Sequence, residues 1–273
     1  MPTTRIADPD DPRLAVYATV RDPDLVRREH RFLAEGRMLV RALLAARDHV
    51  VESVLVTPTA RAGLEDALDA RPDVEVLEIE PALLERLGGI RFHQGCLAAA
   101  RRPEPRTVAA LLAEVEGAGP LLVLENVSNP DNVGTLLRSA LALGAAGAVL
   151  SPTCASPLYR KALRASMGAA LRLPFAHDAE PWETSLGALE QAGVERVGFT
   201  PAPAAQPLAQ WAATRDRARR VALFLGAEHQ GLEPSTMQAL DVLVRIPMAA
   251  GVDSLNVAAA GAIALYEIEY GVG

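Results

Sequence analysis

The chain of 273 residues has two cysteines, Cys96 and Cys154, one lysine, Lys161, and only 4% aromatic residues. Two cysteines cannot build a disulfide framework, and they lack any metal-ligand spacing, so the sequence predicts a reducing compartment and no bound metal. Both read as small core residues. Arginine supplies every other basic residue, a compositional bias that excludes little. The net charge of −7 excludes a uniformly basic nucleic-acid binder. It leaves room for a local basic face, because arginines cluster at Arg27, Arg28, Arg31, Arg37 and Arg41, at Arg101, Arg102 and Arg106, and at Arg215, Arg217, Arg219 and Arg220. Each cluster reads equally as a solvated surface. No charge-free apolar run is long enough to span a membrane, and the first residues hold no apolar signal core, so a soluble cytoplasmic protein is expected.

Half of the residues are hydrophobic, enough for a sizeable core, and the length suits one large domain or two ordinary ones. Two are expected. Residues 1–24 read as an N-terminal extension. Residues 25–102 read as a small α/β domain with helices near 35–46, 61–70 and 81–87, strands at 53–57 and 74–79, and an apolar run at 96–100. Arg101-Arg102-Pro103-Glu104-Pro105-Arg106 has two prolines and no apolar side chain, which marks a linker; residues 103–117 hold it and the helix that follows. From 118 to 273, short unbroken apolar runs at 121–124, 147–150, 197–200, 221–225 and 243–246 alternate with helical stretches. Such runs imply a parallel sheet covered on both faces.

Three polar clusters stand where these runs end, and strand ends are where open α/β sheets bind ligands. The first is Asn129-Pro130-Asp131-Asn132-Val133-Gly134-Thr135-Leu136-Leu137-Arg138-Ser139, ahead of a helix expected over 133–143. Asp131 or Asn132 is placed to cap that helix. Arg138 interrupts an apolar run, where a buried cation needs a partner, and it reads as functional. The second cluster, Leu225-Gly226-Ala227-Glu228-His229-Gln230-Gly231-Leu232, has phosphate-loop glycine spacing, but Leu232-Glu233 replaces the required Lys-Ser/Thr and excludes a nucleoside triphosphate site. Its glycines let a ligand approach the backbone, and Glu228 either caps the next helix or accepts hydrogen bonds in the site. The third, Ser254-Leu255-Asn256-Val257-Ala258-Ala259, follows a strand end broken by Pro247. A helix is expected to start at Asp253 or Ser254, which leaves Asn256 without a capping role. The proline-rich loop 201–207 also follows a strand end and is a further candidate for lining a site.

Taken in order, the three clusters resemble the motifs of the SpoU (TrmH-type) class of RNA ribose 2′-O-methyltransferases, over roughly residues 118–270. Arg164-Ala165-Ser166-Met167-Gly168-Ala169 is similar to the family's segment between the first two motifs. Upstream, Arg31-Phe32-Leu33-Ala34-Glu35-Gly36 and His93-Gln94-Gly95-Cys96-Leu97-Ala98 resemble the opening and closing signatures of its L30e-like substrate-binding domain. The resemblance implies a C-terminal parallel-sheet methyltransferase domain with a deep trefoil knot, a rare exception to un-knotted connections. It also implies S-adenosylmethionine as cofactor, a structured RNA as substrate and a homodimer; methyl transfer of this kind needs no metal, and two domains with a long N-terminal extension favour ribosomal over transfer RNA. By the same resemblance, backbone groups of Gly226, Ile246 and Leu255 hold the cofactor, while Asn132, Arg138, Glu228, Ser254 and Asn256 form the reaction site. The chain departs from the commoner pattern at His229, where glycine is frequent, and at Asn129, where aspartate is frequent. The alternative is a non-catalytic RNA-binding or ribosome-assembly protein of the same fold. A Rossmann dehydrogenase is disfavoured, because Glu125-Asn126-Val127-Ser128 stands where Gly-x-Gly-x-x-Gly is required.

Overall fold

The computed structural model describes residues 3–18, 21–84, 95–115, 119–228 and 230–271. The chain divides into two compact units, Met1–Glu104 with Pro157–Leu171, and Pro105–Ser156 with Arg172–Gly273.

In the first unit, strands β1 (Thr3–Ile6), β2 (Arg31–Glu35), β3 (Val51–Val56), β4 (Glu75–Ile79) and β5 (Cys96–Arg101) form one sheet in the order β1-β4-β3-β5-β2. The first three in that order run parallel, and β5 is antiparallel to both of its neighbours. Alternate strand residues Leu33, Leu55, Leu77, Leu97 and Ala99 pack with Leu14, Tyr17 and Leu25. The helix Arg37–Ala45 buries Leu39, Val40, Leu43 and Leu44 as one stripe. Residues 1–24 are therefore more than an extension: β1 is the parallel edge strand beside β4. A four-residue strand with two threonines and one arginine gives no period-two signal, and only the neighbouring strand defines it. The helix expected over 61–70 is two, Pro58–Ala62 and Glu65–Asp69, separated at Gly63 and Leu64. The helix near 81–87 spans Pro81–Leu84, and its end, like His93 and Gln94, lies outside the described residues.

Residues 157–171 join this unit through charge pairs. The Arg160 guanidinium lies 2.6 Å from Asp22, whose other oxygen accepts the Arg160 backbone N–H at 2.9 Å. Arg164 pairs with Glu35 at 2.7 Å. Both cysteines are buried, at 2% and 1% exposure, and burial pushes the Cys96 thiol up to about 11 and raises that of Cys154, so neither is a poised thiolate.

The second unit is an all-parallel sheet, as the unbroken apolar runs imply. Strands β6 (Leu121–Leu124), β7 (Gly147–Leu150), β8 (Phe175–His177), β9 (Glu195–Phe199), β10 (Gln206–Pro207), β11 (Val221–Leu225) and β12 (Val242–Arg245) lie in the order β10-β12-β9-β11-β6-β7-β8. From β6 the chain moves outward through β7 and β8, then crosses to build the other half. The neighbours β6 and β11 thus mark the point where the strand order reverses.

The helices Pro130–Ala142 and Val257–Tyr270 pack against each other across this point. Gly261 makes the approach possible, since a Cβ there would lie 2.3 Å from Leu136 Cδ2 and 2.9 Å from Leu225 Cδ1. Gly261→Ala is expected to destabilise the fold by about 1–2 kcal/mol, overpacking outweighing the gain in helix propensity. Urea denaturation measures it, and an unchanged or raised midpoint would contradict the packing argument. Among the described residues no helix is long and apolar enough to cross a membrane.

Candidate active site

The first cluster opens the helix Pro130–Ala142. Pro130 at its first position needs no backbone donor, and the Asn129 Oδ1 accepts the Asp131 N–H at 3.0 Å, so the cap is Asn129 rather than Asp131 or Asn132. That places Asn132 within the first turn, where its amide, 8% exposed, turns inward. Its Nδ2 donates to Glu228 Oε1 in a short contact, and its Oδ1 accepts from Asn256 Nδ2 at 3.2 Å.

The third cluster corrects a second expectation. The helix Val257–Tyr270 is capped by Asn256, whose Oδ1 accepts the N–H groups of Ala258 and Ala259 at 2.9 and 3.3 Å. Asp253 and Ser254 lie in the non-helical stretch before it. Asn256 does cap, and its amide serves twice: the oxygen holds the helix, while Nδ2 donates to Asn132 and to Glu228 Oε1 at 3.3 Å. Both amides converge on Glu228 Oε1. Among the described residues, Glu228 Oε2 has no hydrogen-bond donor, and the side chain is exposed.

Asn256→Asp separates the two duties. Aspartate caps about as well as asparagine, so stability is expected to stay within about 0.5 kcal/mol. The lost donor and the new charge beside Glu228 are expected to lower activity by at least about tenfold. Thermal melts and turnover on the same preparation check this; activity unchanged alongside unchanged stability would mean that the cap is the whole function.

The second cluster follows β11. Gly226 has no space for a side chain: a Cβ would lie 2.1 Å from the Gly231 carbonyl carbon and 2.3 Å from its oxygen. The loop closes on itself through paired bonds between Ala227 and Gly231, at 3.1 and 2.9 Å, with Gly231 at φ 69°. Beside it opens a cleft of about 530 Å³, within the range of small-ligand sites. Gly226, Ile246 and Leu255 line the cleft, as do Glu228 and Ser254. Pro201 of the proline-rich loop lines it too. The walls include Phe199, Met237, Met248 and Asp253, which sequence reasoning missed. The usable signal was positional: Phe199 ends an apolar run and Met248 follows one. Among the described residues, no group of three or more histidine, cysteine or acidic side chains is placed to hold a metal.

Arg138 stands apart from this cluster. It is exposed, contrary to the expectation of a buried cation, and has no hydrogen-bond or ion-pair partner among the described residues. Six residues along a helix turn it about 120° away from Asn132 and carry it about 9 Å further on. Much of the arginine clustering is also neutralised. Arg31 and Arg101 share Glu52, Arg41 pairs with Asp66, Arg106 with Glu114, and Arg219 with Asp241.

A parallel α/β sheet with a cleft at its strand ends, and Glu228 of that cleft held by two amides, has the build of a small-ligand site. The model of the SpoU rRNA Methylase family matches residues 119–266, and the chain belongs to that family. It is 39% identical to an uncharacterized tRNA/rRNA methyltransferase of Mycobacterium bovis, over 96% of this chain and 90% of the relative. It is 34% identical to the 23S rRNA (guanosine-2′-O-)-methyltransferase RlmB of Acinetobacter baylyi, over 67% of this chain and 73% of the relative. The crystal structure of an AdoMet-bound rRNA methyltransferase from Sinorhizobium meliloti matches with a TM-score of 0.82 at 22% identity, over 97% of each chain, and shares the fold.

Proposed function

We propose that the protein transfers a methyl group from S-adenosylmethionine to a ribose 2′-hydroxyl of a structured RNA, ribosomal rather than transfer RNA. The observation that carries this is the hydrogen-bonded meeting of Asn132, Glu228 and Asn256, drawn from three separate clusters, of which Glu228 also lines the Gly226 cleft. The cleft suits the cofactor: its glycine admits close backbone approach, its methionines offer apolar walls, and its charged lining is acidic, through Glu228 and Asp253. A cationic sulfonium ligand is favoured there. When bound, the cofactor supplies an activated methyl group. Backbone groups of Gly226, Ile246 and Leu255 hold it.

The remaining work falls to side chains. Asn132 and Asn256 fix Glu228 through one oxygen, leaving the other to orient the acceptor hydroxyl. A guanidinium offers positive charge and a fork of donors rather than a base, so the part of Arg138 is to position the ribose phosphate and stabilise the developing alkoxide. Ser254, in the cleft lining, orients the hydroxyl or the guanidinium. The small N-terminal unit, L30e-like, takes the RNA, and the catalytic unit carries the family's knot. The RlmB relative acts on 23S rRNA at guanosine 2′-O, which supports the ribosomal reading and, with it, a cytoplasmic site of action.

The protein acts as a homodimer. Ile263, Tyr266 and Tyr270, spaced three and four residues apart on one helix, are 42%, 58% and 55% exposed and present one apolar face. A second copy covers it. With Arg138 turned away from Asn132, the guanidinium completes the site of the partner copy.

Incubation with methyl-labelled S-adenosylmethionine and separate ribosomal and transfer RNA pools tests the reading. Ribose-bound label in ribosomal RNA is expected. Label in transfer RNA alone moves the substrate, and none in either favours the non-catalytic alternative.

A further inference from the structure

The residue immediately after β6 is Glu125, 2% exposed. Its backbone N–H donates to the Leu225 carbonyl at 2.9 Å, at the point where the chain enters the Gly226–Leu232 loop. Its carboxylate holds the point where the loop ends. Oε2 accepts the Glu233 N–H at 2.9 Å, and Oε1 accepts Trp182 Nε1 at 2.7 Å and the hydroxyl of Thr236, itself fully buried. The next residue, Asn126, adds a bond from Nδ2 to Glu233 Oε1 at 3.1 Å. Leu232 and Met237, which flank the gripped segment, both line the cleft.

We infer that Glu125 is a positioning residue for the cofactor, stapling both ends of the Gly226–Leu232 loop so that the cleft is preformed before ligand enters. The chemistry of the donor set requires a carboxylate. All three groups facing it donate, so two acceptor oxygens are needed, and an apolar side chain would leave buried donors unpaired. Glutamine of the same shape cannot replace it, because its NH₂ group must face at least one donor. A preformed loop lowers the ordering cost of binding, so loosening it weakens affinity rather than chemistry.

The inference rests on the reading of the cleft as the cofactor site, and calorimetric titration of the full-length protein with S-adenosylmethionine and S-adenosylhomocysteine separates the two. Glu125→Gln is expected to weaken both ligands about tenfold, as one unpaired buried donor implies. At saturating cofactor kcat should hold, so that the effect falls on KM, and hydrogen exchange at Gly231 and Glu233 should quicken. Adding Trp182→Phe removes the donor that the glutamine NH₂ opposes and should restore part of the affinity, a rescue that a general loss of stability would not give. Affinity within about twofold of wild type for Glu125→Gln, or no rescue by the second change, overturns the staple. If Glu125→Gln does not fold, Thr236→Val removes one donor to Glu125, together with the oxygen that accepts a second bond from Trp182 Nε1 at 3.1 Å, and unchanged affinity in that variant has the same force. Gly226→Ala serves as the control on the cleft. If it weakens binding while Glu125→Gln leaves it unchanged, only the staple fails; if neither affects binding, the cleft reading fails.

Discussion

Replacing Arg138 with alanine is expected to lower methyl transfer by about a thousandfold while cofactor affinity stays within about twofold of wild type. The side chain is exposed and without a partner among the described residues. Its removal therefore leaves no buried charge unpaired and should change stability by no more than about 0.5 kcal/mol. Loss of activity cannot then be charged to unfolding. Arg138 also does not line the cleft, so cofactor binding has no reason to fall. Arg138→Lys keeps the charge but not the planar fork and should recover only part of the rate. Titration calorimetry and single-turnover methylation on ribosomal RNA check both halves. Turnover near wild type removes the guanidinium from the reaction; a large loss of cofactor affinity would mean that it acts through the cleft instead.

Arg138 also shows where the sequence was legible and where it was misread. Read as a run, Leu136-Leu137-Arg138-Ser139-Ala140-Leu141 suggests a buried cation. Read at helical spacing, Val133, Leu136, Leu137 and Ala140 form the buried stripe, while Asp131, Thr135 and Arg138 fall on the solvent side. The periodicity held the answer. The strands β6, β7 and β11 fall on the residues expected of them, because four or five consecutive apolar residues in a parallel sheet need no partner to be recognised. The edge strand β1 has no such run and is defined only by β4. Capping was half readable: Pro130 at the first helical position already points to Asn129. At Asn256, two earlier polar residues offered equally good caps, and the backbone path after Pro247 decided between them. The meeting of Asn132 with Glu228 and Asn256, across 96 and 124 residues, depends on β11 lying beside β6. No local pattern encodes that adjacency, and the family resemblance alone anticipated the company these residues keep.

Gly226→Ala is expected to weaken cofactor binding by roughly a hundredfold, and to abolish methylation at ordinary cofactor concentrations. The added methyl group meets the backbone of the Gly231–Leu232 peptide: the Gly231 carbonyl carbon at 2.1 Å, its oxygen at 2.3 Å and the Leu232 nitrogen at 2.3 Å. A flexible side chain could step aside, but here the Ala227–Gly231 pairing must open, and with it the loop that presents Glu228 to Asn132 and Asn256. Equilibrium titration measures the loss, and affinity within about threefold of wild type would remove the loop from the cofactor site. The same variant also decides how the site is assembled. A subunit carrying Gly226→Ala has a damaged cleft and an intact Arg138, and a subunit carrying Arg138→Ala has the reverse. In the homodimer proposed above, if each guanidinium serves its own cleft, mixed dimers of the two contain no intact site and stay inactive. If it serves the partner's, each mixed dimer contains one intact site and one doubly damaged site. Co-expression with two affinity tags, purification of the mixed species and a methylation assay distinguish these outcomes. Recovered activity from two inactive parents is expected, because Arg138 faces away from its own amide cluster and has no other partner among the described residues to explain its place on the helix.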